Sequence, residues 1–255
     1  MRVTAFGASD VGLQREINED AFRVLDQYLL YLVADGMGGH QAGDVASRMA
    51  ADTVVSFFEA TQQEDATWPF PIDPQLSLEE NRLCSSIKLA NRKIYDLSQS
   101  DRLLQGMGTT FVGMTLSLEK KLCYVAHVGD SRAYRLRAGV IVQLTRDHSL
   151  VNDYLNIMPD IPTEAMEIVP RNVITRALGM EESVLVDVRQ EPMQTGDRFL
   201  LCTDGLTGQV SDERVREILL ECGDDLQSAG RTLINDANEA GGDDNVTIVL
   251  VGIDE

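Results

Sequence analysis

Seven apolar residues in a row, Tyr28-Leu29-Leu30-Tyr31-Leu32-Val33-Ala34, run straight into Asp35 and then into Gly36-Met37-Gly38-Gly39-His40. A short apolar run without polar alternation reads as a strand buried on both faces. It stops on a carboxylate, and three glycines within four positions let the backbone turn sharply and come close to a ligand. Asp35 offers two oxygens and the Gly36 carbonyl a third, a donor set suited to a hard cation. A plain strand-end turn capped by Asp accounts for the same stretch without any ligand, so the rest of the chain must decide.

Three further acids share this grammar. Ala126-His127-Val128-Gly129 leads into Asp130-Ser131, Phe199 to Thr203 leads into Asp204-Gly205, and Gly241-Gly242-Asp243-Asp244-Asn245 leads into a strand from Val246 to Val251. If those strand ends lie side by side, four carboxylates converge on one rim. Such a group cannot stay ionised without protons or cations. All-oxygen donors select Mg²⁺ or Mn²⁺ over zinc. The three histidines, His40, His127 and His148, are too scattered in sequence for a zinc site, and His127 reads as a packed core residue. In Arg15-Glu16-Ile17-Asn18-Glu19-Asp20, Arg15 could hold an anion while Glu19 and Asp20 sit near a cation; such a polar run is also an ordinary solvated turn.

The charge limits the partners. With 41 acidic against 22 Lys and Arg residues the chain carries a formal −19, which repels nucleic acid and anionic lipid. A substrate phosphate would need an arginine or metal ions to be drawn in. No apolar run approaches a membrane span, and the opening Met1 to Ala8 does not read as a secretory signal. Cys84, Cys123, Cys202 and Cys222 form no Cys-x-x-Cys pair and read as reduced thiols of a cytoplasmic protein. The 255 residues suit one large domain or two small ones. Neither a repeat nor a dividing linker is evident, so residues 1–255 are taken as a single domain.

Periodicity places the elements. Strands are expected at Val3–Ser9 and Phe22–Leu25. Apolar pairs every four residues from Val45/Ala46 to Phe57/Phe58 predict a helix on a sheet. Pro69, Pro71 and Pro74 keep residues 62–77 a loop, with Trp68 as a local packing anchor. A second helix carries Leu83, Ile87, Ala90, Ile94 and Leu97. Alternating strands around Val112–Leu118 and Leu122–Val128, with turns at Glu119-Lys120-Lys121 and Arg137-Ala138-Gly139, predict antiparallel hairpins. Residues 145–179, with a short helical piece from His148 to Leu155 and three prolines, read as an excursion from the core. Strands at Val184–Arg189 and Arg198–Cys202, two helices (Val215–Cys222 and Leu226–Ala237) and the strand Val246–Val251 close the chain.

Glu19-Asp20, Asp35-Gly36-Met37-Gly38-Gly39-His40, Gly129-Asp130-Ser131-Arg132, Asp204-Gly205 and Asp244-Asn245 stand in the order and approximate spacing of one family. The chain resembles the metal-dependent serine/threonine protein phosphatases of type 2C. The Asp-Gly-Met-Gly-Gly-His form and Arg171-Asn172-Val173-Ile174-Thr175-Arg176-Ala177-Leu178-Gly179 are similar to the bacterial branch. The resemblance implies an α+β fold, a four-layer α-β-β-α sandwich of two antiparallel sheets flanked by helices, with 145–179 as a flap beside the site. It also implies hydrolysis of phosphoserine and phosphothreonine in proteins by water activated at a pair of Mn²⁺ or Mg²⁺ ions, opposing serine/threonine kinases. Asp35 would bridge the two metals and the Gly36 carbonyl would serve the first. Asp204 and Asp244 would hold the second, with Glu19 and Asp20 acting through bound water. Asp130 would help hold a third, weaker metal with Asp204 and the Ser131 carbonyl, and Arg15 would bind the substrate phosphate. A monomer suffices for this chemistry. The sequence departs from the family in two places. Animal-type members have a histidine, proposed as general acid, where this chain has Met37, which leaves His40 as the candidate acid or as a packed loop residue. Ile168-Val169-Pro170 replaces the His-Pro common in bacterial relatives.

Other phosphatase chemistries lack their residues. A cysteine phosphatase needs Cys-x5-Arg, and the residues six beyond the four cysteines are Ala90, Gly129, Gly208 and Ser228. There is no Asp-x-Asp for a phospho-aspartate and no Gly-Lys-Ser/Thr for a nucleotide loop. A catalytically silent phosphoprotein-binding module would be expected to have lost metal-binding acids, whereas all of them are present.

Overall fold

The strands sort into two antiparallel sheets according to the faces they must bury. The computed structural model describes residues 1–38, 42–62, 67–158, 169–170 and 173–255. One sheet has five strands in the order β1 (Arg2–Asp10), β11 (Val246–Asp254), β10 (Arg198–Cys202), β7 (Arg132–Arg137) and β8 (Val140–Gln143). The other runs β2 (Asp20–Leu25), β3 (Leu30–Met37), β5 (Phe111–Ser117), β6 (Leu122–Val128) and β9 (Asp187–Pro192), with the two-residue β4 (Gly108–Thr109) paired to the end of β3. All the pairings are antiparallel.

The continuous apolar run of β3 follows from its burial on both sides. Tyr31 and Val33 face the other sheet, packed with Val112, Val125, Phe199, Leu201 and Val249. Leu30, Leu32 and Ala34 face the opposite way, against helices α1 (Ala42–Ala60) and α2 (Leu78–Ser100) through Phe58, Leu83, Ile87 and Ile94. In the five-stranded sheet Leu200, Cys202, Ile248 and Leu250 likewise back onto Val215, Ile218 and Leu233. Those three belong to the helices 212–222 and 226–239, which follow α3 (Leu150–Ile157) and α4 (Asp204–Thr207) and are here α5 (Asp212–Cys222) and α6 (Leu226–Glu239). The result is the expected four-layer α-β-β-α sandwich. Each fully buried Leu or Phe in it contributes about 1.5–3 kcal/mol.

Local signals set the borders. A capping box starts α2: the Glu80 amide donates to Ser77 Oγ (3.3 Å) and the Ser77 amide to Glu80 Oε2 (2.8 Å). Trp68 anchors the proline loop by an edge-on contact with Phe57, ring centroids 5.5 Å apart. Several borders differ from expectation, among them the start of β2, which takes in Asp20. β3 runs through Asp35 to Met37 because Gly36 and Met37 pair with Thr109 and Gly108, so Asp35 stands inside the strand and not beyond it. β9 begins at Asp187 rather than Val184. Asp204 opens the short helix α4 instead of a bare loop. Within the excursion 145–179, the Asn152 amide donates to Ser149 Oγ at the start of α3, and isolated bridges join Ser149 to Ile174 and Thr109 to Leu178. Among the described residues no helix is long and apolar enough to cross a membrane.

Candidate metal centre

The acids do converge. β2 and β3 pair so that Asp20 lies opposite Asp35, and the Asp35 and Asp204 carboxylates are close enough to share a hydrogen bond. The Thr203 hydroxyl donates to Asp20 Oδ2 (3.0 Å) and accepts from the Thr247 amide (3.0 Å), which ties Asp20 to the other sheet. Asp244 Oδ1 accepts its neighbour's amide, Asn245 N, at 2.8 Å. The Asn245 side chain accepts from the Glu19 amide (2.8 Å) and donates to the carbonyls of Val11 (2.9 Å) and Ile17 (3.0 Å). It thereby clamps the polar segment 11–19 against the start of β11.

Gly36 is a close-approach position. Its amide donates to the Glu19 carbonyl at 3.1 Å, and a Cβ there would stand 2.1 Å from the Gly43 carbonyl oxygen. Gly129 precedes Asp130 with φ +106°, in the left-handed region that favours glycine. Thr110 bolts the two acid loops together: its hydroxyl accepts from the Asp35 amide (3.2 Å) and shares a hydrogen bond with Ser131 Oγ (2.7 Å). Asp130 and Asp204 line one cavity of about 430 Å³, together with Arg132, Asp147, Ser149 and Thr207.

Electrostatically the site is under-neutralised. Burial, then repulsion from Asp204 and Asp244 against hydrogen bonds from Thr247 and Thr203, leaves Asp20 pushed up to about 7. Burial and the charge of Asp204 lift Asp130 to about 7. Burial raises Asp35 well above the ordinary carboxylate range, with Asp20 and Asp204 adding to it, and burial also raises Asp204 and Glu19. Positive charge comes from Arg132 beside Asp130 and, at the rim, from Arg15, half exposed, whose Nη2 donates to Asp244 Oδ2 at 2.8 Å. Among the described residues Glu19 Oε1, Asp20 Oδ1, Asp130 Oδ1 and Asp204 Oδ1 are buried without a hydrogen-bond partner. Unpaired buried carboxylate oxygens on four neighbouring acids fit hard divalent cations.

His40, Ile168, Arg171 and Asn172 lie outside the described residues. Met37 borders a second cavity, of about 380 Å³, with Ile174, Arg176, Ala177 and Met180. The expectation that the histidines are scattered needs correcting. His127 is a packed core residue, as expected, but its ring stacks on His148 with centroids 4.7 Å apart and planes 8° apart. Both approach Asp187 closely enough to resemble a metal-ligand group. Arg176 Nη1 fills that group, 2.9 Å from His148 Nε2 and 2.8 Å from Asp187 Oδ1, so a cation's charge is already supplied and this cluster does not suit a metal. The sequence assigned no role to Thr110 or Thr203, and it marked Asn245 as part of the Asp244-Asn245 motif without assigning its side chain a task. The cysteines are free thiols, and burial pushes Cys84 up to about 11 and raises Cys123 and Cys202 as well, far from thiolate reactivity.

Residues 13–243 match the family model described as "Protein phosphatase 2C". The chain belongs to the protein phosphatase 2C family. Among relatives, a serine/threonine phosphatase stp of Listeria monocytogenes is 38% identical over 251 residues, covering 95% of this chain and 93% of that protein. The crystal structure of the Mycobacterium tuberculosis serine/threonine phosphatase PstP/Ppp superposes with a TM-score of 0.85 at 31% identity, covering 99% of both chains. The catalytic domain of a PstP in complex with two manganese ions gives a TM-score of 0.80 at 30% identity, again covering 99% of both.

Proposed function

We infer that this protein phosphatase 2C member hydrolyses phosphoserine and phosphothreonine in proteins with the help of Mn²⁺ or Mg²⁺. The observation that carries the reading is the set of buried, unpartnered oxygens on Glu19, Asp20, Asp130 and Asp204 around Asp35. When bound, the cations supply Lewis acidity that acidifies water and offsets charge on the phosphoryl group. In this assignment Asp35 would serve both ions of a tight metal pair, the Gly36 carbonyl would serve one, Asp204 and Asp244 would hold the other, and Glu19 and Asp20 would act through water. Asp130, with Asp204 and the Ser131 carbonyl, would hold a weaker third.

Arg15 is the substrate-phosphate group: its guanidinium is half exposed at the rim and already hinged on Asp244, a placement from which it can donate two hydrogen bonds to a phosphate. His40 is assigned as the proton donor to the leaving alkoxide. Residues 1–255 act as one catalytic domain with the flap over 145–179, and since one chain supplies every acid, a monomer suffices. The four free thiols suit a reducing compartment, and the cytoplasm is the assigned location. There the substrates are proteins phosphorylated by serine/threonine kinases, not nucleic acid or membranes. The test is hydrolysis of an aryl phosphate and a phosphothreonine peptide. Activity should be lost in excess chelator and restored by Mn²⁺; full activity in chelator overturns the reading.

A further inference from the structure

The loop that carries Asp130 is held from below by a histidine that the acid chemistry does not use. His148 is buried and satisfies both backbone groups of Gly129: its amide donates to the Gly129 carbonyl at 2.9 Å, and its Nδ1 accepts from the Gly129 amide at 3.0 Å. An amide can only donate, so Nδ1 carries the lone pair and Nε2 carries the hydrogen. Nε2 stands 3.3 Å from Asp187 Oδ2 and 2.9 Å from Arg176 Nη1, and because a guanidinium can only donate, the Nε2 hydrogen is directed to the carboxylate. Arg176 Nη1 donates to the other oxygen of the same carboxylate. The His148 carbonyl accepts from the Thr175 amide at 2.8 Å. The His127 ring stacks on the far face of His148 and is itself fixed at Nε2 on the Arg146 carbonyl, 2.8 Å away.

We propose that His148 is a positioning residue for the phosphatase reaction, setting the Gly129-Asp130 loop and joining it to the base of the flap at Thr175-Arg176. The reasoning is steric as well as polar. Gly129 has a positive φ, and a Cβ on it would stand 2.6 Å from Thr110 Cβ, so the loop lies flat against Thr110 and is held in that pose by His148. Without the imidazole, the Gly129 amide becomes a buried donor with no acceptor and the loop must shift to reach water. Such a shift moves Asp130 directly, and moves Asp35 only through Thr110. Because Thr175 and Arg176 grip the same residue, any movement of the flap base is felt at Asp130 without a direct contact between them.

The activity arm rests on the phosphatase reading; the structural arm does not. An Asn amide oxygen sits near the position of a histidine Nδ1, and a Gln amide group near Nε2, so two variants divide the two halves of the residue. His148→Asn should keep the Gly129 amide slow to exchange by NMR and keep kcat within about threefold of wild type. His148→Gln should leave that amide fast to exchange and lower kcat by about 10- to 100-fold, as loss of an orienting partner does, with KM for a phosphopeptide little changed. A folded His148→Gln with wild-type kcat, or equal losses in both variants, overturns the proposal. If wild type itself shows no metal-dependent hydrolysis, the phosphatase reading fails. The Gly129 exchange rates still decide whether His148 holds the loop: equal rates in wild type and His148→Gln would overturn that part.

Discussion

Asp20 and Asp35 occupy one rung of the β2–β3 ladder, two carboxylates facing each other across neighbouring antiparallel strands. Like charges directly opposed on a sheet weaken it, and here burial magnifies the effect, since both groups are raised above the ordinary carboxylate range. Hydrogen bonds from Thr203 and Thr247 favour the ionised form of Asp20 but leave its Oδ1 unpartnered. The strand pairing is therefore locally worse than it could be. Function at the expense of stability is the common reason for such an arrangement.

Asp35→Asn tests that trade. It keeps the side chain's shape and removes one of the facing charges. The metal-free variant should melt several degrees above metal-free wild type, each kcal/mol gained moving Tm by roughly 2–4 °C in a domain of this size. Added Mn²⁺ should no longer raise Tm, and turnover should collapse. Melting curves with and without Mn²⁺ check all three; a metal-free variant that melts lower than wild type would count against the repulsion.

The same carboxylates predict an unusual pH dependence. Asp20 and Asp130 move from 3.8 to about 7 on folding, so between those values the folded state binds more protons than the unfolded chain. Stability then falls as pH rises. In chelator, this contribution is most favourable below the unfolded value and is lost as pH passes through about 7. Cations replace those protons, so saturation with Mn²⁺ should flatten or reverse the trend. Urea midpoints at about pH 5 and about pH 8, with and without metal, measure it. A metal-free protein whose midpoint rises with pH to the same extent as the loaded one would contradict the shifts.

Arg15→Ala should act on substrate and not on the fold. Its bond to Asp244 joins two groups that are 50% and 38% exposed, and exposed pairs of this kind contribute little. KM for a phosphopeptide should rise roughly tenfold, the scale of one lost charge-assisted contact, while calorimetry with Mn²⁺ shows the tight metals still bound. An unchanged KM returns Arg15 to the role of a surface turn residue.

Asp130→Ala separates metal holding from turnover. Asp130 sits between β6 and β7 rather than on the β2–β3 rung, so the tight metal pair should survive its loss. Turnover should drop steeply, because a weakly held third ion helps chiefly as the bond breaks. Calorimetric stoichiometry beside kcat distinguishes the outcomes. Loss of the tight pair would make Asp130 a primary ligand, and an unchanged kcat would reduce it to a turn residue.

The elements with a strong local pattern were readable in advance. The apolar run ending at Asp35, the four-residue spacing of Val45 to Phe58, and the alternation in Met114, Leu116, Tyr124 and Ala126 all declare a strand or a helix, and the strand-end acids announced a shared rim. What escaped was non-local. β4 spans two residues, too few for any periodicity, yet it extends β3 past Asp35. Thr110 lies 75 positions from the Asp35 amide it accepts from, and nothing around a threonine in sequence signals such a bond. His127 and His148 are separated by a hairpin and stack only because β6 and the segment after β8 end together. Pairing across the sandwich decides those contacts, and pairing is the information that a single strand's pattern omits.

The division of the acids between the layers has a mechanical meaning. Asp20 and Asp35 belong to the six-stranded sheet, Asp204 and Asp244 to the ends of strands in the five-stranded one, and Glu19 and Asp130 to segments where the chain passes from one sheet to the other. A cation gripping both sets would be a clasp at one edge of a book, sewing the two covers together along the margin where the acids would otherwise push them apart. Loading the metals would thus stiffen the two plates into one body at the reacting end, whereas away from that rim the sheets are joined by their apolar filling and by polar links such as the Arg135–Glu191 ion pair.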